Sequence, residues 1–186
     1  MQTSYIGMGA NLTSSAGTPE STLAAAAARL ESLGHVTRRS SLYSTEPVGF
    51  ADQPRFVNAV VSLETVLDPQ TLLNRLLTIE QEFGRDRTSG IANGPRTLDL
   101  DILLFGDLVI SQPGLVIPHP RLAERGFVLV PLNEIAPDLR QAGSGLTVSQ
   151  LFNSFHKSAK SVNDAVVPIQ SDSWRAGGSD VCSSDA

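Results

Sequence analysis

The sequence predicts an α+β fold, a ferredoxin-like βαββαβ sandwich with additional C-terminal helices. Its elements read in the order strand, helix, strand, strand, helix, strand, the split βαβ arrangement. Both helices in that order open on a capping residue followed by proline, where a fixed φ and a missing N–H do no harm. Size agrees: 186 residues, 41% of them hydrophobic, suit one domain with a real core.

Residues 4–9 read as a short strand ending in glycines. Thr18-Pro19-Glu20 supplies an N-cap, a first-turn proline and an early acid; Leu23, Ala27 and Leu30 then form an apolar stripe that stops at Gly34. Residues 36–43 make a second strand despite Arg38 and Arg39, and a turn-rich stretch follows over 46–54. The clearest strand is 56–67. Asp68-Pro69 opens a second helix with Leu72, Leu73, Leu76 and Leu77 inward, closed near Gly84, and Glu80 on it is expected to be an exposed acid. A fourth long strand spans 98–105, and Gly106-Asp107 turns it into a short return over 108–110. Residues 127–133 and 148–155 read as additional short helices.

From about residue 156 the composition shifts to Ser, Ala, Asp and Gly, and the run 179–185 resembles a translated sequencing adapter. One domain is therefore expected over 1–169, with its core at about 3–155, and 170–186 as a disordered or artefactual tail. A net charge of −5 argues against a nucleic-acid partner held by general attraction. No apolar run approaches the roughly 18 residues of a membrane span, and the N-terminus lacks a secretory pattern, so a cytoplasmic monomer is expected. The only cysteine, Cys182, offers neither a disulfide framework nor a thiolate metal cluster. The two lysines are Lys157 and Lys160, so the chain has no P-loop Gly-Lys-Ser/Thr and no kinase-type phosphate lysine. Any nucleotide must be held by arginines, metal and backbone.

The run NGPRTLDLDILLF at 93–105 is the most informative segment. In an extended chain alternate side chains share a face, so Asp99 and Asp101 project together while Leu98, Leu100, Ile102 and Leu104 face a core. Two adjacent carboxylates call for a cation, and Mg²⁺ takes oxygen ligands while keeping positions open for phosphates. An Asp-x-Asp pair alone is more often a solvated strand end; the Gly-Pro-Arg ahead of it sets this one apart, because Arg96 offers a fork for phosphate or carboxylate. Phe56 and Asn58, two apart on a strand, present a ring and an amide to one side, as a flat heterocycle requires. His119 lies between two prolines that constrain its backbone. Glycines at 84, 90 and 94 make the loop 84–95, with Arg85 and Arg87, a candidate lid. Asn11 and Glu46 carry weak individual signals.

These residues resemble a known family. Gly94-Pro95-Arg96-Thr97-Leu98-Asp99-Leu100-Asp101-Ile102-Leu103-Leu104-Phe105-Gly106 is similar to the signature of the 6-hydroxymethyl-7,8-dihydropterin pyrophosphokinases. The segments Tyr5-Ile6-Gly7-Met8-Gly9-Ala10-Asn11-Leu12, Asp52-Gln53-Pro54-Arg55-Phe56-Val57-Asn58-Ala59 and Ile117-Pro118-His119-Pro120, then Arg125-Gly126-Phe127, match the family in its order. The resemblance implies an ATP-dependent diphosphotransferase of folate biosynthesis, which gives AMP and the dihydropterin diphosphate. It implies two Mg²⁺ at Asp99 and Asp101, with Arg85 and Arg96 sharing the catalytic role. Arg85, Arg96, Ile102, His119 and Arg125 would contact ATP. Pro47, Val48 and Gly49 would offer backbone groups to the pterin pocket, Phe56 and Phe127 would sandwich the pterin, and Asn58 would bond its edge. The chain departs from many members at Ile91-Ala92-Asn93, where they carry a tryptophan and further basic residues, and at Phe56, where some carry tyrosine. No general base stands out: a metal-bound alkoxide and proton loss assisted by Asp99 or Asp101 both stay open. A nucleic-acid-binding module of the same fold would need a basic face and clustered aromatics, and a nucleotide-sensing domain would need no heterocycle pocket.

Overall fold

The computed structural model describes residues 1–87, 93–158 and 165–175. In chain order it holds β1 (Gln2–Ala10), α1 (Pro19–Leu30), β2 (His35–Arg39), β3 (Leu42–Thr45), β4 (Phe56–Thr65), α2 (Pro69–Glu82) and β5 (Asp99–Phe105). Then come β6 (Ile110–Gln112), β7 (Leu115–Ile117), a 3-10 turn (Leu122–Glu124), α3 (Gly126–Ile135), α4 (Val148–His156), β8 (Val166–Ile169) and α5 (Asp172–Arg175).

The main sheet runs β5-β1-β4-β3-β8, with β2 also on β4 and every pairing antiparallel. This is the ferredoxin-like α+β order, with α1 and α2 packed on one face. Thr18 accepts the Ser21 N–H and Asp68 those of Gln70 and Thr71, so both predicted caps form. Leu23, Ala26, Ala27 and Leu30 of α1, with Leu72, Leu76 and Ile79 of α2, bury against Ile6, Met8, Leu63 and Leu100. On the other face α3 and α4 enclose a second core of Val60, Leu104, Leu129, Leu132 and Phe155. A reciprocal capping box between Thr147 and Gln150 opens α4.

Several expectations are corrected. The second strand is two strands, β2 and β3, broken at Ser40 and Ser41. There the Ser40 side chain accepts the Val60 N–H and its own N–H goes to the Val60 carbonyl, each at 2.9 Å. A hydroxyl thus stands in for a ladder acceptor, and both halves stay on β4. The return strand forms later than expected, as β6, and pairs with β7 in a separate ribbon instead of joining the main sheet. The expected domain closes on β8, which pairs with β3, and the beginning of the expected tail is packed as well: Trp174, 7% exposed, donates its indole N–H to the Ser40 carbonyl at 2.8 Å. Residues 176–186, Cys182 among them, lie outside the described residues. No described helix is long and apolar enough to cross a membrane.

Candidate active site

Where α3 and α4 leave the second sheet face uncovered, three strands form the floor of a cavity of about 220 Å³. On β1, Gly9 pairs with Asp99 of β5 on one side and Asn58 of β4 on the other; Gly7 likewise lies between Asp101 and Val60. Strand alternation therefore sets the acidic pair and the amide on the same face, with bare backbone between them. A Cβ on Gly9 would come within 3.0 Å of Asn58 Oδ1, and one on Gly7 within 3.2 Å of the Leu103 side chain. The walls come from Val48, Arg96, His119, Arg125 and Phe127, with Glu46 and Arg121, and with Thr45 and Asn93, to which the sequence assigned no role.

Each side chain has a local reason for its position. Asn58, 6% exposed, donates through Nδ2 to Thr45 Oγ1 at 2.8 Å, which leaves Oδ1 as its free acceptor. Asp99 is held from both sides, by Arg85 Nη2 at 3.3 Å and Arg96 Nη1 at 3.1 Å. The Arg96 guanidinium also lies 5.0 Å from the centre of the Phe56 ring, and that of Arg125 lies 5.4 Å from the Phe127 ring. Arg96 Nε is buried without a partner, the mark of a donor prepared for an anion. The Asp101 carboxyl is pushed up to about 6, first by burial and then by the charge of Asp99. Among the described residues no set of three or more His, Cys, Asp or Glu is placed to hold a metal. A two-carboxylate site of this kind fits Mg²⁺, which takes its remaining ligands from phosphate and water.

His119 is pushed down to about 4 by burial, then by Arg125 and Arg121. Its backbone N–H reaches the Leu103 carbonyl at 2.9 Å and its Nδ1 accepts the Arg121 N–H at 3.1 Å. The ring is thus neutral at pH 7 with its proton on Nε2, a donor.

Three expected site residues, Ile102, Pro47 and Gly49, are not among those that line the cavity. Ile102, 5% exposed, packs into the α1/α2 core; only its backbone remains for a nucleotide. Pro47 and Gly49 are not among the lining residues, although Gly49 (φ +95°) sits against the Asn93 side chain. Leu104 turns to the α3/α4 core because the β1–β5 register shifts opposite Tyr5 and Ile6, which leaves Leu103 as the extra residue. Glu80 is no exposed acid: its side chain, 1% exposed, pairs with Arg87 and accepts the Leu100 N–H at 2.8 Å. Its pKa is raised, chiefly by burial. The spacing Leu72-Leu76-Glu80 carried the signal, since the acid continues the apolar stripe. Of the candidate lid 84–95, residues 88–92 lie outside the described residues.

A family model for 7,8-dihydro-6-hydroxymethylpterin-pyrophosphokinase matches residues 5–137. The chain is 46% identical over 142 residues to the 2-amino-4-hydroxy-6-hydroxymethyldihydropteridine pyrophosphokinase of Pseudomonas aeruginosa, covering 75% of this chain and 84% of that protein. To the Haemophilus influenzae protein of the same name it is 44% identical over 164 residues, 86% of this chain and 98% of that one. Among solved structures, the Plasmodium falciparum HPPK-DHPS A437G/K540E, with pterin and p-hydroxybenzoate, shares its fold at a TM-score of 0.67 and 17% identity. That likeness covers 88% of this chain and 46% of the other.

Proposed function

The chain belongs to the 7,8-dihydro-6-hydroxymethylpterin-pyrophosphokinase family, and from that premise we propose how its residues divide the reaction. It is an ATP-dependent diphosphotransferase of folate biosynthesis: the hydroxymethyl oxygen of 6-hydroxymethyl-7,8-dihydropterin bonds to the β-phosphorus of ATP. The bond from that phosphorus to the α-phosphate oxygen breaks, AMP leaves, and the hydroxyl proton is lost.

The row Asp99–Gly9–Asn58 carries the assignment. Two strand spacings separate the carboxylate from the amide, roughly 10 Å, and the glycine between them leaves room above the sheet. The pterin lies on the β4 side, with Phe56 and Phe127 against its faces, Asn58 Oδ1 at its edge, Val48 lining that end, and Pro47 and Gly49 beside it offering backbone groups. The triphosphate lies on the β5 side, where Arg85, Arg96 and Arg125 bind its charge and His119 donates from Nε2. Two Mg²⁺ on Asp99 and Asp101 would supply further neutralisation of the phosphates. The hydroxymethyl group then falls over Gly9, between the two halves, and the chief contribution of the side chains is position. The same reading takes the enzyme as a cytoplasmic monomer without nucleic-acid or membrane partners.

Release of AMP from ATP and Mg²⁺, dependent on the pterin alcohol, tests the division together with binding titrations. Pterin binding lost on Asn58→Ala while an ATP analogue still binds supports it; loss of both together, or of neither, overturns it.

A further inference from the structure

We propose that Asn11 and Gln53 are positioning residues, a two-amide clasp that ties the pterin-side loop to the segment carrying Arg96. The inference rests on the assignment of the β4 side to pterin. Asn11, the first residue after β1, is 4% exposed and uses both ends of its carboxamide on distant chain. Its Nδ2 donates to Gln53 Oε1 and to the Pro54 carbonyl, each at 3.0 Å, and its Oδ1 accepts the Arg96 N–H at 2.7 Å. The N–H groups of Asn11 and Leu12 both go to the Arg96 carbonyl, at 3.0 and 3.1 Å. Gln53 extends the link: its Nε2 donates to the Phe50 carbonyl at 2.6 Å and the Asn93 carbonyl at 2.8 Å.

The partners explain why amides are needed. An amide short of charge that only closes its own turn bonds a neighbour two or three residues away. Asn11 instead reaches residues 42, 43 and 85 positions along the chain. Each link uses donor and acceptor at once, which a carboxylate or a hydrocarbon of the same size does not offer. The clasp also closes around the functional contact. Phe56 follows Pro54 by two residues, and Arg96, whose backbone Asn11 holds, lies 5.0 Å from the Phe56 ring and 3.1 Å from Asp99. One buried amide therefore fixes the chain on either side of the ring and guanidinium, and with it the offset between heterocycle and phosphate.

The test uses Gln53→Met, Asn11→Asp and the double variant in the full-length chain. Gln53 is half-buried in a loop, so its replacement keeps the test open should Asn11 variants fail to fold. Asn11→Asp retains the acceptor for Arg96 and loses both donors to the loop. Each single variant is expected to raise KM for the pterin alcohol roughly five- to tenfold and to lower kcat, with KM for ATP within about twofold. The melting temperature of Gln53→Met should stay close to that of the unaltered chain. The double variant should be less than additive, because either change breaks the same link. An unchanged pterin KM, or losses that fall equally on both substrates and track the melting temperature, overturns the clasp. Failure of the unaltered chain to bind pterin would overturn the site assignment instead, and calorimetry on that chain separates the two.

Discussion

Glu80 on α2 accepts the backbone N–H of Leu100, at 2.8 Å, between Asp99 and Asp101, the aspartates proposed to hold Mg²⁺. Leu100 lies on β5, the outer strand of the sheet, so this N–H would otherwise face away from any ladder partner. A buried acid thus closes the sheet edge and anchors the strand that carries Asp99 and Asp101. Glu80→Ala leaves the N–H unpaired and is expected to lower stability by about 1–3 kcal/mol. Glu80→Gln keeps an acceptor and should lose less. Urea unfolding of both variants checks the order.

Asp101→Asn should separate stability from activity. Raising the Asp101 pKa from 3.8 to about 6 means that the folded metal-free protein holds this proton more tightly than the unfolded chain. Its stability therefore falls as pH rises from about 4 through 6, and the deficit is full above 6. Removing the charge returns on the order of 1–2 kcal/mol at pH 7.5 and nothing at pH 4. Turnover should fall by orders of magnitude, because the transferring phosphates lose a cation ligand. Melting curves in EDTA at the two pH values, with an AMP-release assay, give both readings. Equal effects at both pH values would sink the charge argument.

Gly9→Ala should damage pterin recognition with little change in fold. The new Cβ would lie 3.0 Å from Asn58 Oδ1, so the amide must give way or the heterocycle must ride higher. KM for the pterin alcohol should rise about tenfold or more, with the affinity for an ATP analogue held. A variant with normal pterin KM would show that the glycine floor is not under the substrate.

Phe127→Ala removes one face of the proposed sandwich. Stacking surfaces of this kind contribute about 1–3 kcal/mol, so calorimetry should show weaker pterin binding by that amount. Equal weakening of the ATP analogue would instead tie Phe127 to the orientation of Arg125, which lies against its ring.

Truncation after Gln170 should cost several degrees in melting temperature. It removes Trp174, which is 7% exposed and bonded to the Ser40 carbonyl at the strand break. Loss of a buried indole costs roughly 3–5 kcal/mol, and Trp174→Ala in the full chain should reproduce most of it. An unchanged melting temperature in both would mean that the packing contributes nothing to the native state.

The legible parts of the molecule were those set by short-range chemistry. Thr18-Pro19 and Asp68-Pro69 announce helix starts because cap and proline act within one turn, and the Asp99/Asp101 face follows from strand alternation alone. What the sequence did not disclose depends on contacts between distant segments. The break between β2 and β3 is decided by a Ser40 hydroxyl meeting Val60, and the turning of Leu104 by a register shift against β1. Ile102, before that shift, faces the helices with Leu98 and Leu100 as alternation alone requires, so the local pattern already opposed a side-chain contact with a nucleotide. Glu80 could be read as buried from its place in the leucine stripe, but its partners, Leu100 and Arg87, belong to a loop and a strand that no local rule joins.

The position of Trp174 has an optical consequence. It is the chain's one tryptophan, and it packs in the core shared with α1, on the opposite face of the sheet from the cavity floor. Intrinsic tryptophan emission therefore reports whether the C-terminal segment is docked, and filling the cavity should leave it nearly dark to change. Ligand titrations on this enzyme need a signal from the pterin itself or from a label placed near Phe56, whereas the native fluorophore serves as an internal gauge of whether the far edge of the sheet stays closed.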